Sequence, residues 1–179
     1  MANRGLAMVI AAKRSANGIY IDGFRCKNAI KVAIDPVYED VSDYNDINDT
    51  DDAEVFAYAD IELDKTGLSA EEEDGLLGRN AAETRTISTD NDMSNKIGVG
   101  LRVNDGKQYK AIWFPNVVFK EGGSEHNTKK EEITYDTANL KGKITPDSSG
   151  TWRERRLFNT KKEADSWLYE KAGIVNGGM

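Results

Sequence analysis

Lys96–Lys120, KIGVGLRVNDGKQYKAIWFPNVVFK, is the stretch whose reading decides the fold class. Ile97, Val99, Leu101 and Val103 alternate with Lys96, Gly98, Gly100 and Arg102, the period-two pattern of a half-buried strand. Asn104-Asp105-Gly106 follows, and Asp-Gly supplies the positive φ angles that a tight hairpin needs. Tyr109, Ala111 and Trp113 then resume the alternation against Lys110 and Ile112. The pattern predicts a β-hairpin. It puts Val99, Leu101, Tyr109 and Trp113 on the core face, and Lys96, Gly98, Gly100, Arg102 and Lys110 on a polar face. Pro115 predicts a break or bulge before Val117–Phe119, because proline donates no ladder hydrogen bond.

Outward from the hairpin, strand patterns recur. Leu6–Lys13 reads as a strand ended by the Asn17-Gly18 turn signal. Ala29–Tyr38 alternates Ile30, Val32 and Ile34 with Lys31, Ala33 and Asp35, and Pro36 places its end at an edge or loop. Val55, Ala57, Ala59, Ile61 and Leu63 alternate with Glu54, Phe56, Tyr58, Asp60, Glu62 and Asp64. A short edge strand is expected near Thr84–Ser88. Ile133–Ile144 reads as one bent strand or two, and Trp152–Phe158 as a strand with Arg153 and Arg155 on its solvent face. Two helices have start signals. Ser69-Ala70-Glu71-Glu72 and Thr160-Lys161-Lys162-Glu163 are capping boxes. Gly78 ends the first, short helix. Gly173 ends the second, Lys161–Ala172, whose Ala164, Trp167, Leu168 and Ala172 fall at helical spacing. Residues 174–179 are expected to be a flexible tail, with Ile174 able to tuck back onto the helix.

Charge is divided along the chain. Asp35–Asp64 holds twelve Asp and Glu and no Lys or Arg, whereas Lys141–Lys162 holds seven basic residues against two acids. Residues 39–52, with Glu39, Asp40, Asp43, Asp46, Asp49, Asp51 and Asp52, repel one another and predict a long solvated loop. Such polarity suits head-to-tail stacking of copies, unlike surface against unlike surface. It equally suits mutual neutralisation within one subunit.

The totals exclude several functions. At 179 residues with a net charge of −7, the chain can bury a core but lacks the basic balance of a free nucleic-acid binder. No apolar run approaches the length that spans a bilayer. The apolar patch near the start runs directly into Lys13 and Arg14, so a signal peptide is not expected. Cys26 stands alone, so no disulfide framework forms. His126 is the single histidine, and no nucleophile elbow accompanies it or Ser124. Counted from Asp43, the acidic stretch puts Asn45, Asp49, Asp51 and Glu54 at calcium-loop positions. Ile47 and Asn48 fall where a ligand and a glycine belong, so loose cation binding is expected rather than a specific site. No enzyme activity, metal or cofactor is expected.

In order along the chain, NRGLAMVIAAK, PVYEDVSDYNDINDTDDAEVFAYADIEL, LLGRN, VGLRV with YKAIWFPNVVFKEG, TYDTANLKGKI and GTWRERRLFNTKKEADSWL resemble the major tail protein (tail tube protein) family of long-tailed, non-contractile phages of Gram-positive bacteria. The resemblance covers nearly the whole chain. LSAEEEDGLLGRN departs from it in being more acidic and richer in glycine, which bears on the extent of the first helix. The resemblance implies a mainly β fold, a tail-tube-type sandwich or barrel with a C-terminal helix and a short second helix, in one tail-tube domain over 1–179. It implies hexameric rings that stack into a tube through whose lumen DNA passes. Tape measure, tail terminator and baseplate proteins are the implied partners, and the virion, assembled in the host cytoplasm, is the implied location. On that reading Lys31, Asp35, Glu54, Tyr58, Asp60, Glu62, Asp64, Lys96, Arg102 and Lys110 form a mixed lumen wall, whose acids keep DNA from sticking. The loop 39–52 stacks on a neighbouring ring against Arg153, Arg155 and Arg156. The other reading is a small acidic, β-rich, cation-dependent binding or adhesin-like module.

Overall fold

The computed structural model describes residues 5–41, 53–82, 84–123 and 137–175. Its elements are β1 (Gly5–Arg14), β2 (Tyr20–Cys26), β3 (Ala29–Val41), β4 (Ala53–Thr66), α1 (Ala70–Leu77), β5 (Asn80–Ala82), β6 (Arg85–Ile87), β7 (Ile97–Asp105), β8 (Gln108–Glu121), β9 (Thr137–Ile144), β10 (Glu154–Phe158) and α2 (Lys161–Lys171). The fold is mainly β, of sandwich type. One antiparallel sheet runs β2-β1-β7-β8-β9-β4-β3, with β10 also paired to β8. β5 and β6 form a separate small hairpin.

The opening hairpin forms where its pattern puts it. Asp105 pairs with Gln108, and Gly106, at the first central position, has φ +66°, a value that favours glycine. β8 is unusually shared. Residues 108–117 bond β7 on one edge, while 109–113 bond β10 and 117–121 bond β9 on the other. Ile97 pairs with Val117 but Val99 pairs with Phe114, so β8 carries one extra residue around Pro115, the bulge that proline predicts. The bulge lets Phe114, Val117 and Phe119 all enter the same core.

That core lies inside the curve of the sheet. Val9, Ala11, Phe24 and Cys26 from one half meet Ala59, Ile61, Leu63, Leu140 and Ile144 from the other. A second core lies on the outer side, where α2 lays Ala164, Trp167 and Leu168 on Met8, Ile10, Ala12, Ala111 and Trp113. Burying Leu168 alone contributes about 2 kcal/mol. The Thr160 hydroxyl accepts from Glu163 N at 3.3 Å and starts the helix. Gly173, at φ +66°, lies just beyond its end. Ile174 turns back, its N–H donating to Tyr169 O at 2.9 Å, and packs with this second core. It is therefore part of the fold and not of a flexible tail. Residues 176–179 lie outside the described residues.

Trp113 corrects the expected faces of the hairpin. It sits directly opposite Gly100 and shares the α2 side with Tyr109, while Val99 and Leu101 face the inner core. A Cβ on Gly100 would come within 2.6 Å of Ile10 Cγ2 and 2.9 Å of Leu168 Cδ2, and one on Gly98 within 2.6 Å of Tyr20 Cε1. The two glycines make room for Trp113 and α2 and present no polar surface.

Two further strands differ from their patterns. β3 runs through Pro36 to Val41, beyond the expected end at Tyr38. It is nonetheless an edge strand, as proline requires. β2 has no expectation behind it. Ala11 pairs with Phe24 but Lys13 with Ile21, an irregularity at Asp22, whose φ is +52°, and the break in alternation conceals the strand. The short edge strand expected near Thr84–Ser88 is found as β6.

α1 is bounded as its signals require, by Ser69 at the N-cap and left-handed Gly78 at the C-cap. Glu72 does more than cap. Its carboxylate accepts from Ser69 N at 3.0 Å and from Lys27 N at 3.1 Å, and it pairs with Lys65, whose Nζ also donates to Gly67 O at 2.7 Å. Lys65 and Glu72 are both buried, so this ion pair joins β4, α1 and the β2–β3 turn beneath the surface.

Candidate functional site

The outer side of the sheet is divided. α2 covers the half made by β1, β7 and the start of β8, and leaves open the half made by the end of β8, β9, β4 and β3. On the open half, register brings Lys31 opposite Asp64, Asp35 opposite Asp60, Asp60 opposite Lys143 and Glu62 opposite Lys141. Alternation sends Ala59, Ile61 and Leu63 inward, so Tyr58, Asp60, Glu62 and Asp64 stand outward with Lys31 and Asp35. Six of the ten expected wall residues thus share one surface. Lys96, just before β7, borders it, lining one concavity with Asp60 and Lys143.

Three residues do not belong to that open surface. Val37 pairs with Tyr58 but Tyr38 with Phe56, so Ala57 is an extra residue that reverses parity below it. Glu54 is thereby turned to the opposite side. Arg102 has the right parity, but α2 lies over it. It is buried and paired with Asp165 of the helix, and its Nε has no partner among the described residues. Lys110 pairs with Val103 and Leu157 on the inner side.

The open surface is mixed in charge at fine scale. Asn139 Nδ2 donates to Glu62 Oε1 and to Asp64 Oδ1, both at 2.6 Å, and holds two acids of β4 together. Lys143 Nζ lies 4.2 Å from the centre of the Tyr58 ring. Lys120, Lys141 and Lys143 also stand on this surface, brought there by the register of β8 with β9 and of β9 with β4. The weak apolar alternation of β9, interrupted by Gly142, hides which side its lysines take. Gly142 itself is packed on Phe119 and Ile61.

The expected stacking loop is shorter than 39–52. Glu39 and Asp40 lie in β3, paired with Val55 and Glu54. Cross-strand bonding to β4 outweighs their mutual repulsion. Asp43, Asp46, Asp49, Asp51 and Asp52 lie outside the described residues, as does His126. At the root of this hairpin, Phe56 stacks on Trp152 at 4.3 Å and meets Tyr38 edge-on at 6.0 Å. Arg153 lies 4.4 Å over Trp152. Burial, and then the like charge of Arg155, lower the Arg153 pKa from its usual value. Arg155 and Arg156 are successive residues of β10, paired with Ile112 and Ala111, so they point to opposite sides. Arg156 faces α2, 5.6 Å from Trp167. The three arginines are not one counter-surface.

Among the described residues, no group of three or more His, Cys, Asp or Glu is arranged to hold a metal ion. Comparison with protein-family models and with curated proteins gives no match.

Proposed function

We propose that this chain is a structural protein of a non-contractile phage tail, assembling into hexameric rings that stack as the tail tube and conduct DNA. The observation that carries the reading is the open outer half of the sheet. Lys31, Asp35, Tyr58, Asp60, Glu62 and Asp64 form a polar wall there, ending at β3, whose outer edge has no strand partner among the described residues. A second copy can continue such an edge by strand addition, and repetition closes the wall into a ring. The order of sequence phrases shared with tail tube proteins supports the same reading. Other copies are its main partners. Tape measure, terminator and baseplate proteins follow from that membership, and the virion is its location.

Negative-stain microscopy of the purified chain at high concentration tests this. Rings or tubes are expected. A chain that stays strictly monomeric even with the other tail proteins overturns it. Tight, stoichiometric calcium binding by calorimetry, abolished by Asp49→Asn, would instead favour a cation-dependent binding module.

A further inference from the structure

On the tube reading, on which this inference rests, the open half of the outer side is the wall that DNA passes. Lys96, Lys120, Lys141 and Lys143 line one open concavity of about 540 Å³, with Asp60 and Thr145 beside them. Register explains their convergence from distant parts of the chain. Lys120 is directly opposite Lys141, and Val118 is directly opposite Lys143. All four lysines are exposed.

Like charges directly opposite on adjacent strands destabilise the pair, so Lys120 against Lys141 is a position that an external anion would relieve. Two acids stand across the strands from these lysines, Asp60 opposite Lys143 and Glu62 opposite Lys141. Glu62, opposite Lys141, is held by Asn139 at 2.6 Å. Lys143 lies over Tyr58. Among the described residues no carboxylate lies within ion-pair distance of any of the four lysines.

We infer that this concavity is a contact site for the phosphodiester backbone of a nucleic acid. Lys141 and Lys143 are two residues apart on one face, which sets their stems about 7 Å apart, close to the spacing of successive phosphates along a strand. Lysine serves as a mobile point charge rather than a fixed fork, which suits a backbone held without fixed register. Asp60 within the concavity, and Glu62 and Asp64 beside it, repel phosphate and keep the contact weak. The site exists within a single chain, so its binding is read apart from ring assembly.

The test is fluorescence anisotropy of the full chain with a labelled DNA duplex of about 20 base pairs, between about 20 and 150 mM salt. Binding is expected at low salt, with a log–log salt slope of about −3 to −4 for three to four phosphates neutralised. Lys120→Gln with Lys141→Gln should weaken it at least about tenfold and reduce the slope by about 2. Lys96→Gln with Lys143→Gln should do likewise, and Lys161→Gln with Lys162→Gln, at the exposed start of α2, should not. Circular dichroism of each variant should match the parent. Absence of binding by the parent chain, or equal binding by all variants, overturns the inference. Displacement by inorganic phosphate beyond that of chloride at equal ionic strength would overturn it in favour of a small-anion site. Equal affinity for polyglutamate would overturn it in favour of an acidic polypeptide. Microscopy of the lysine variants reads tube assembly separately.

Discussion

Arg102 of β7 reaches across to Asp165 of α2, and this ion pair, largely withdrawn from water, fastens the helix to the sheet. Removing one member of such a pair leaves a buried charge without a partner. Asp165→Ala should lower stability by about 3 kcal/mol, read as a shift in the urea midpoint with an unchanged slope. Replacing both residues, as Arg102→Met with Asp165→Leu, should recover most of that loss. A single variant as stable as the parent would show that the pair does not hold the helix.

Gly100 has no space for a side chain between Ile10, Trp113 and Leu168. Gly100→Val should cost about 2 to 3 kcal/mol through overpacking, and thermal unfolding should fall by several degrees. Gly106→Ala also strains a positive φ, but no atom lies within 4 Å of its added Cβ, so its cost should be smaller. The reverse order would contradict the placement of α2 over Gly100.

Ala57 is an extra residue between two pairs, Val37 with Tyr58 and Tyr38 with Phe56. Deleting it should leave both pairs opposite each other, so Phe56 should stay stacked on Trp152 and tryptophan emission should not change. Phe56→Ala should instead cost about 3 kcal/mol, the scale of losing a packed aromatic side chain. A changed emission on deleting Ala57 would mean that Ala57 is not the extra residue.

Burial, with a further contribution from Glu72, pushes the Cys26 thiol up from 9.0 to about 12. In the unfolded chain the thiol ionises near its ordinary value, while in the folded chain it stays neutral. Its contribution to stability is therefore complete below about pH 9 and is lost as pH rises from there toward 12. Cys26→Ala should flatten the alkaline limb of the stability curve relative to the parent. A thiol reagent at pH 8 should label the native protein far more slowly than the unfolded one. Rapid native labelling would contradict the burial.

What the residues disclose about this fold follows from how local each signal is. The hairpin turn at Gly106, the capping residues Ser69 and Thr160, and the terminal glycines Gly78 and Gly173 act within a few residues, and all appear where read. Parity is less local, because one extra residue reverses everything beyond it. Asp22 in β2 and Ala57 in β4 do this with no proline to announce them, so alternation does not reveal β2 and puts Glu54 on the wrong side. Arg102 departs from its pattern for another reason. Alternation tells which side it takes, but not that α2, about 60 residues later in sequence, lies over that side. The lysine concavity was hidden because Lys120 and Lys141 become neighbours only through the β8–β9 register.

The sharing of β8 has a consequence for how the chain opens. One strand holds β7 along one edge and both β10 and β9 along the other, so neither half of the sheet can detach without breaking bonds to a strand that the other half also holds. Opening that frees the middle of β8 must break the ladders to both β7 and β10, and should cost far more than opening at an edge strand. Amide protons of Ala111–Trp113 and Val117 should exchange only through global unfolding, while those of the β5–β6 hairpin exchange through local fluctuation.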